Sequence, residues 1–205
     1  MISKGVPRLV VQDIQNHLIQ TSRIGEEGWA HANQDEDTLT GDYFGRLRTG
    51  LIRNGNWKWR IKYNKFRGRG HGAYEKTVGA DGIITVEIEK NGIRETKSII
   101  FQAKKENNRH IMDQLEKMQR TLPQGNMILI FTERGYFAVT GSDYSNDMNI
   151  EQRAGQYLAM VFLECINGQW GVDYDAVKNE LRIVGKKIPH ANIRHKLEIS
   201  IAQEN

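Results

Sequence analysis

Apolar and polar positions along the chain change period several times, and each change marks an element. After Pro7, the residues Leu9 or Val10, Ile14 and Leu18 recur at helical spacing, which predicts a helix ending near Gly25 with Pro in a tolerated first-turn position. A second helical stretch is expected over 26–40, or onward through 41–51. Residues 56–63 then alternate. Trp57, Trp59, Ile61 and Tyr63 share one face and Lys58, Arg60 and Lys62 the other, as in a half-buried strand. Residues 79–89 alternate and are β-branched, Lys90-Asn91-Gly92 is a hairpin turn signal, and 97–104 forms the return strand. A charged helix is expected over 109–121, closed by Pro123 and Gly125; within it Met112, Leu115 and Met118 or Gln119 have core spacing. The continuous apolar run 127–131 reads as a central strand. Glu133-Arg134-Gly135 turns the chain into 136–140, and 151–167 reads as a helix ending at Gly168 with Ala154, Leu158, Val161 and Cys165 along one side. Residues 174–184 and 191–201 carry both strand and helix signals, and the pattern assigns them to neither.

This order, helices, a three-stranded meander, helix, strand pair, helix, predicts an α/β fold with a central mixed sheet flanked by helices. No internal repeat and no Pro-, Ser- or Gly-rich linker divides the 205 residues, so a single domain over 1–205 is expected. Its core spans about 26–170, a basic strand and loop occupy 43–74, and 171–205 reads as a C-terminal extension. A chain of this length buries roughly two thirds of its unfolded surface and needs no disulfide or structural metal to hold a core.

Charge sharpens the picture. The net +4 is mild, yet residues 43–74 hold no carboxylate and carry nine cations: Arg46, Arg48, Arg53, Lys58, Arg60, Lys62, Lys65, Arg67 and Arg69. The rest of the chain is therefore at −5. Such segregation attracts phosphate locally while the remaining surface stays acidic and soluble, which makes a nucleic-acid backbone the expected partner. Gly68, Gly70 and Gly72 turn the end of this segment into a basic loop.

Other chemistries find no support. The lone Cys165, set in an apolar run, forms neither an intramolecular disulfide nor a cysteine zinc cluster and reads as a small buried hydrophobe in a reducing compartment. The longest apolar runs, 127–131 and 158–165, fall far short of the roughly 18–20 residues that span a bilayer, and the first residues lack a signal-peptide pattern. A cytoplasmic protein without membrane contact is expected. His17, His31, His71, His110, His190 and His195 show no HExxH or paired spacing, so surface or capping roles are expected of them. No serine sits in a GxSxG context, and no glycine motif marks a dinucleotide or triphosphate site.

One constellation stands out: Gly79-Ala80-Asp81-Gly82, the turn at Asn91-Gly92, and Phe101-Gln102-Ala103-Lys104. Residues two apart in a strand share a face, so Gln102 and Lys104 point together while Phe101 and Ala103 enter the opposite core. Hairpin pairing lays Asp81 beside the end of 97–104. A carboxylate, an amide oxygen, the Ala103 carbonyl and an ammonium would then meet within a few ångströms. Hard cations such as Mg²⁺ take such oxygen ligands, and an ammonium orients water and stabilises an anionic transition state.

On these residues the chain resembles the PD-(D/E)XK nuclease superfamily, in particular its Gln-x-Lys branch of Mrr-like restriction enzymes and bacterial anti-phage endonuclease effectors. The resemblance covers about residues 26–131 and implies a restriction endonuclease-like αβββαβ core. It makes Asp81 the metal-binding aspartate, Gln102 the acidic-or-Gln position and Lys104 the catalytic lysine. Ala80 stands where the family's Pro would be. The family often adds a helix Glu to the metal shell; Glu36 is the choice here, since Trp29, Asn33 and Thr40 share its helical side, with Glu27, Asp37 and Glu75 as rivals.

The expectation is therefore a Mg²⁺- or Mn²⁺-dependent DNA endonuclease of prokaryotic restriction or antiviral defence. Asp81, Glu36, Gln102 and the Ala103 carbonyl would hold metal, and Arg46, Arg48, Lys58, Arg60, Lys62, Lys65, Arg67 and Arg69 would hold phosphates. A homodimer, or a larger complex with a motor or sensor subunit, is expected from the two sites that double-strand cutting needs. The rival expectation is a catalytically inactive nucleic-acid-binding subunit.

Overall fold

A computed structural model describes residues 4–32, 35–66, 77–106, 111–145 and 151–204. Arg67, Arg69, the glycines of the basic loop, Glu75, His71, His110 and Asn33 lie outside the described residues.

The chain opens with helix α1 (Arg8–Glu26), whose buried Val10, Val11, Ile14 and Leu18 form the anticipated stripe. The short α2 (Trp29–Ala32) and then α3 (Glu36–Arg46) follow, so the expected second helix is two pieces. Asp35 starts α3 afresh: its carboxylate accepts the Thr38 N–H at 2.7 Å, an N-cap that satisfies an orphan amide.

Strands β1 (Ile52–Asn54), β2 (Trp57–Lys65), β3 (Gly82–Lys90) and β4 (Ile93–Lys105) come next, then α4 (Met112–Thr121), β5 (Asn126–Thr132) and β6 (Gly135–Thr140). In α4, Leu115 and Met118 are buried while Met112 is exposed. The helix expected over 151–167 is shorter and wider: α5 (Ala154–Gln156) runs into a π-helical turn, Tyr157–Phe162, and the chain then turns away. Buried Asn167 helps to fix that departure by donating to the Tyr157 hydroxyl at 2.6 Å and to the Asn126 carbonyl at 3.1 Å. Cys165 is half-buried against the core and has a left-handed backbone, φ 66°.

The tail is all strand. After β7 (Gln169–Trp170), β8 (Val172–Asp175), β9 (Glu180–Ile183) and β10 (Lys186–Pro189) form a separate antiparallel sheet, and β11 (His195–Gln203) enters the main one. The main sheet has eight strands, ordered β1-β2-β11-β3-β4-β5-β6, with β7 paired to β4. It is mixed: β11 is parallel to β3 and β4 to β5, and the other neighbours are antiparallel. The expected meander through β2, β3 and β4 is thus interrupted. Residues read as an extension supply a central strand, because the alternation of Leu197, Ile199 and Ile201 buries them between β2 and β3.

Alternation sends the strand side chains into two cores. Ile84, Val86, Ile99, Phe101, Ala103, Trp57, Trp59 and Ile61 meet α1, α3 and the π-helical turn on one side. Ile83, Ile100, Ile128 and Ile130 meet α4 and the small sheet on the other. The three central strands converge at Gly82. A Cβ there would strike the Phe101 ring and the His195 carbonyl, so only glycine allows the close approach.

Candidate functional site

The parallel pairing of β3 and β11 makes both strands begin at one end of the sheet, with His195 opposite Gly82. The antiparallel hairpin brings the end of β4 there too, since Gly82 stands opposite Phe101. Capping by Asp35 sets Glu36 and Asp37 in the first turn of α3, where the helix dipole favours negative charge. Side chains from α3, β2, the start of β3, the end of β4 and the start of β11 therefore meet.

At the centre is Asp81, 3% exposed. Its Oδ2 accepts the backbone N–H of Ala103 at 3.0 Å and a short hydrogen bond from Gln102 Nε2. Its Oδ1 accepts from Arg194 Nη2. Asp81 and Gln102 are juxtaposed as the strand pattern predicts, but with the opposite polarity. A carboxylate only accepts, so Gln102 turns its nitrogen to Asp81, and the Ala103 N–H rather than its carbonyl faces the acid. The Gln102 Oε1 is left buried without a hydrogen-bond partner, an arrangement that costs roughly 1–3 kcal/mol in a folded protein.

Lys104 shares the face of Gln102, while Phe101 and Ala103 enter the opposite core, as alternation requires. Its Nζ is 3.6 Å from Glu36 Oε2, and Glu36 Oε1 accepts the Lys105 N–H at 3.2 Å. Glu36 thus joins the constellation through Lys104. Of its rivals, Glu27 is exposed at the end of α1.

Asp37 builds a second cluster. Its Oδ2 meets Lys65 Nζ at 2.6 Å, and its Oδ1 takes His195 Nε2 at 2.9 Å and Arg194 Nη1 at 3.3 Å. Burial alone would raise its carboxyl; the Lys65 hydrogen bond and the neighbouring His195 and Arg194 outweigh that and hold it below the usual range. His195 Nδ1 lies 2.7 Å from the Tyr63 hydroxyl. Burial, and then the Arg194 charge, push the imidazole below its ordinary value against the pull of Asp37, and burial raises the Tyr63 phenol. His195 is wholly buried, correcting the expected surface or capping role; His17 is half-buried, 3.0 Å from the Leu47 carbonyl.

Arg194 links the two clusters; sequence reasoning did not single it out and gave His195 no part in the site. The only available signal was the strand alternation of 195–203.

The expected phosphate-binding cations divide. Arg46 pairs with Asp42 at 2.9 Å, Lys58 and Arg53 with Glu204 at 3.4 Å, and Lys65 with Asp37. Arg48 donates to the Gly45 carbonyl. Arg60 and Lys62 are exposed on the face of β2 opposite Trp59 and Ile61.

Among the described residues, no three His, Cys, Asp or Glu side chains gather into a metal-binding group. The oxygen donors at hand are Asp81, Glu36 and the unpartnered Gln102 carbonyl, hard ligands of the kind Mg²⁺ and Mn²⁺ take. Among the described residues, no helix is long and apolar enough to cross a membrane. Comparison of the chain with protein-family models, curated proteins and solved structures gives no match.

Proposed function

We propose that this chain is a metal-dependent DNA endonuclease that hydrolyses phosphodiester bonds, of the restriction and anti-phage kind that the sequence resemblance implies. The observation that carries the reading is the buried, unpartnered Gln102 Oε1 in the residue that also bonds Asp81. An acceptor in that position lacks a cation more than a donor, because Asp81 already takes the neighbouring N–H groups. The succession α3, β1, β2, β3, β4, α4, β5 adds support, since it is compatible with an αβββαβ run carrying a short extra edge strand, β1, and with β11 inserted from the tail.

Asp81, Gln102 through Oε1, and Glu36 would hold Mg²⁺ or Mn²⁺. The ion would supply an acidified water and neutralise charge on the phosphate. Lys104, 7% exposed, presents an ammonium beside those ligands, where it orients the attacking water and stabilises the pentavalent phosphate. Glu36 positions that ammonium from across the site. Arg60 and Lys62 add sequence-independent attraction to the DNA backbone.

A second reading, an inactive nucleic-acid-binding subunit, draws on a specific contact: Arg194 already neutralises Asp81. Nicking and linearisation of supercoiled plasmid with Mg²⁺, Mn²⁺ or EDTA separates the two, comparing wild type with Asp81→Ala and Lys104→Ala. Metal-dependent cutting lost in both variants is the expected result. No cutting with intact DNA binding selects the second reading, and cutting that survives both substitutions overturns the site.

A further inference from the structure

Asp81 is engaged by a residue 113 positions away. The backbone N–H groups of Arg194 and His195 both donate to the Asp81 carbonyl, at 2.9 and 3.2 Å, which fixes the main chain of Arg194 beside the acid. From there the guanidinium spans two carboxylates, with Nη2 on Asp81 Oδ1 and Nη1 3.3 Å from Asp37 Oδ1. Its Nε is buried and has no hydrogen-bond partner. Asp37 is itself held by Lys65 and His195. It therefore remains a fixed seat for the guanidinium whether or not Nη2 stays on Asp81.

We infer that Arg194 gates the cation site, an inference that rests on the metal reading above. In the free protein the guanidinium cancels the negative charge of Asp81 and occupies Oδ1, so a divalent cation meets a neutralised ligand. An arriving DNA phosphate competes for the same guanidinium. Nε and Nη2 form one edge of the planar fork, the edge that takes an anion bidentately. Turning that edge to the phosphate satisfies the orphaned Nε and lifts Nη2 from Oδ1, while Nη1 keeps its contact with Asp37. A cation then has Asp81 and the orphaned Gln102 Oε1 as ligands. Each partner removes the obstacle to the other, so cation and DNA bind with positive coupling, and the coupling is reciprocal. The protein away from DNA holds little metal.

The test is Mn²⁺ binding, followed by loss of the free-ion electron paramagnetic resonance signal. It is run in a Lys104→Ala background so that DNA survives. Replacing the guanidinium by Arg194→Met keeps the aliphatic stem and is expected to tighten Mn²⁺ binding about tenfold without DNA, within the usual range of coupling between sites. Adding Asp81→Ala should abolish that gain. A short DNA duplex should tighten Mn²⁺ binding when Arg194 is present and leave the Met variant unchanged. Arg194→Gln gives an independent reading of the same quantities should the Met variant fail to fold. Equal or weaker Mn²⁺ binding without Arg194, a gain that survives Asp81→Ala, or a duplex effect of the same size in both proteins overturns the gate. Absence of Mn²⁺ binding in every protein, with and without duplex, overturns the metal reading and the gate with it.

Discussion

His195 and Asp37, 158 residues apart in the chain, share a 2.9 Å hydrogen bond that ties the start of β11 to the first turn of α3. The direction of that bond follows from chemistry. An ionised carboxylate only accepts, so neutral His195 donates through Nε2, and Nδ1 is left to accept from the Tyr63 hydroxyl. Tyr63, His195 and Asp37 form one chain of donors and acceptors across β2, β11 and α3.

The chain has a pH signature. His195 is held below its ordinary value, chiefly by burial, so below about pH 6.5 the unfolded protein takes up a proton that the folded protein refuses. Stability should fall with pH there, by up to about 1.4 kcal/mol per pH unit from this group. Asp37, depressed in the fold, adds its own loss only at lower pH, near and below the unfolded carboxyl value. Urea unfolding of wild type and His195→Gln between neutral and mildly acidic pH checks this. Identical slopes in the two proteins would exclude His195 as the source.

Gly79 sets the approach to Asp81. It has φ 70°, and a Cβ there would collide with the Gln114 carbonyl in α4. Gly79→Ala combines left-handed strain with a backbone clash and should destabilise by about 2–4 kcal/mol. A denaturant midpoint unchanged from wild type would mean that α4 yields freely.

Lys97 is wholly buried on β4, donates a short hydrogen bond to the Phe162 carbonyl, and stands 4.4 Å over that residue's ring. Burial holds its ammonium below the ordinary lysine value, against the opposing influence of Cys165. Wild-type stability should therefore rise as pH increases toward the unfolded value of about 10.5. Lys97→Met, similar in shape and uncharged, is expected to be about 1 kcal/mol more stable at neutral pH and to lack that rise. Thermal melts at neutral and alkaline pH measure both; a less stable Met variant with the same alkaline rise would contradict the account.

The exposed cations of β2 should matter more for DNA than the paired ones. If Arg60 and Lys62 each meet a phosphate, replacing both with Ala lowers the salt slope of DNA binding by about 1.8. Arg46→Ala, which breaks the pair with Asp42, should change it less. Filter binding across a salt series decides the matter, and an unchanged slope in the double variant would remove β2 from the DNA interface.

Local pattern located much of this arrangement. The end of α1 near Gly25, the hairpin around Asn91-Gly92 and the shared face of Gln102 and Lys104 all follow from period and turn chemistry, which act over a few residues. The pairing of β11 does not, because 191–201 carries both strand and helix signals, and even a strand's alternation leaves its neighbours unnamed. Arg194, His195 and the role of Asp37 stayed hidden for the same reason. The amide orientation of Gln102 was out of reach too, since it depends on which groups reach Asp81 from Ala103 and Arg194.

The central place of β11 governs the order in which the molecule can be made. During synthesis β2 and β3 emerge long before the strand that must lie between them, so two half-sheets wait with facing edges unpaired. Closing the sheet depends on contacts distant in sequence, a topology that slows folding and leaves intermediates prone to edge-to-edge association. The same delay keeps Arg194 and His195 away from Asp81 and Asp37 in any nascent chain, so a ribosome-bound fragment lacks the bridge between the two clusters.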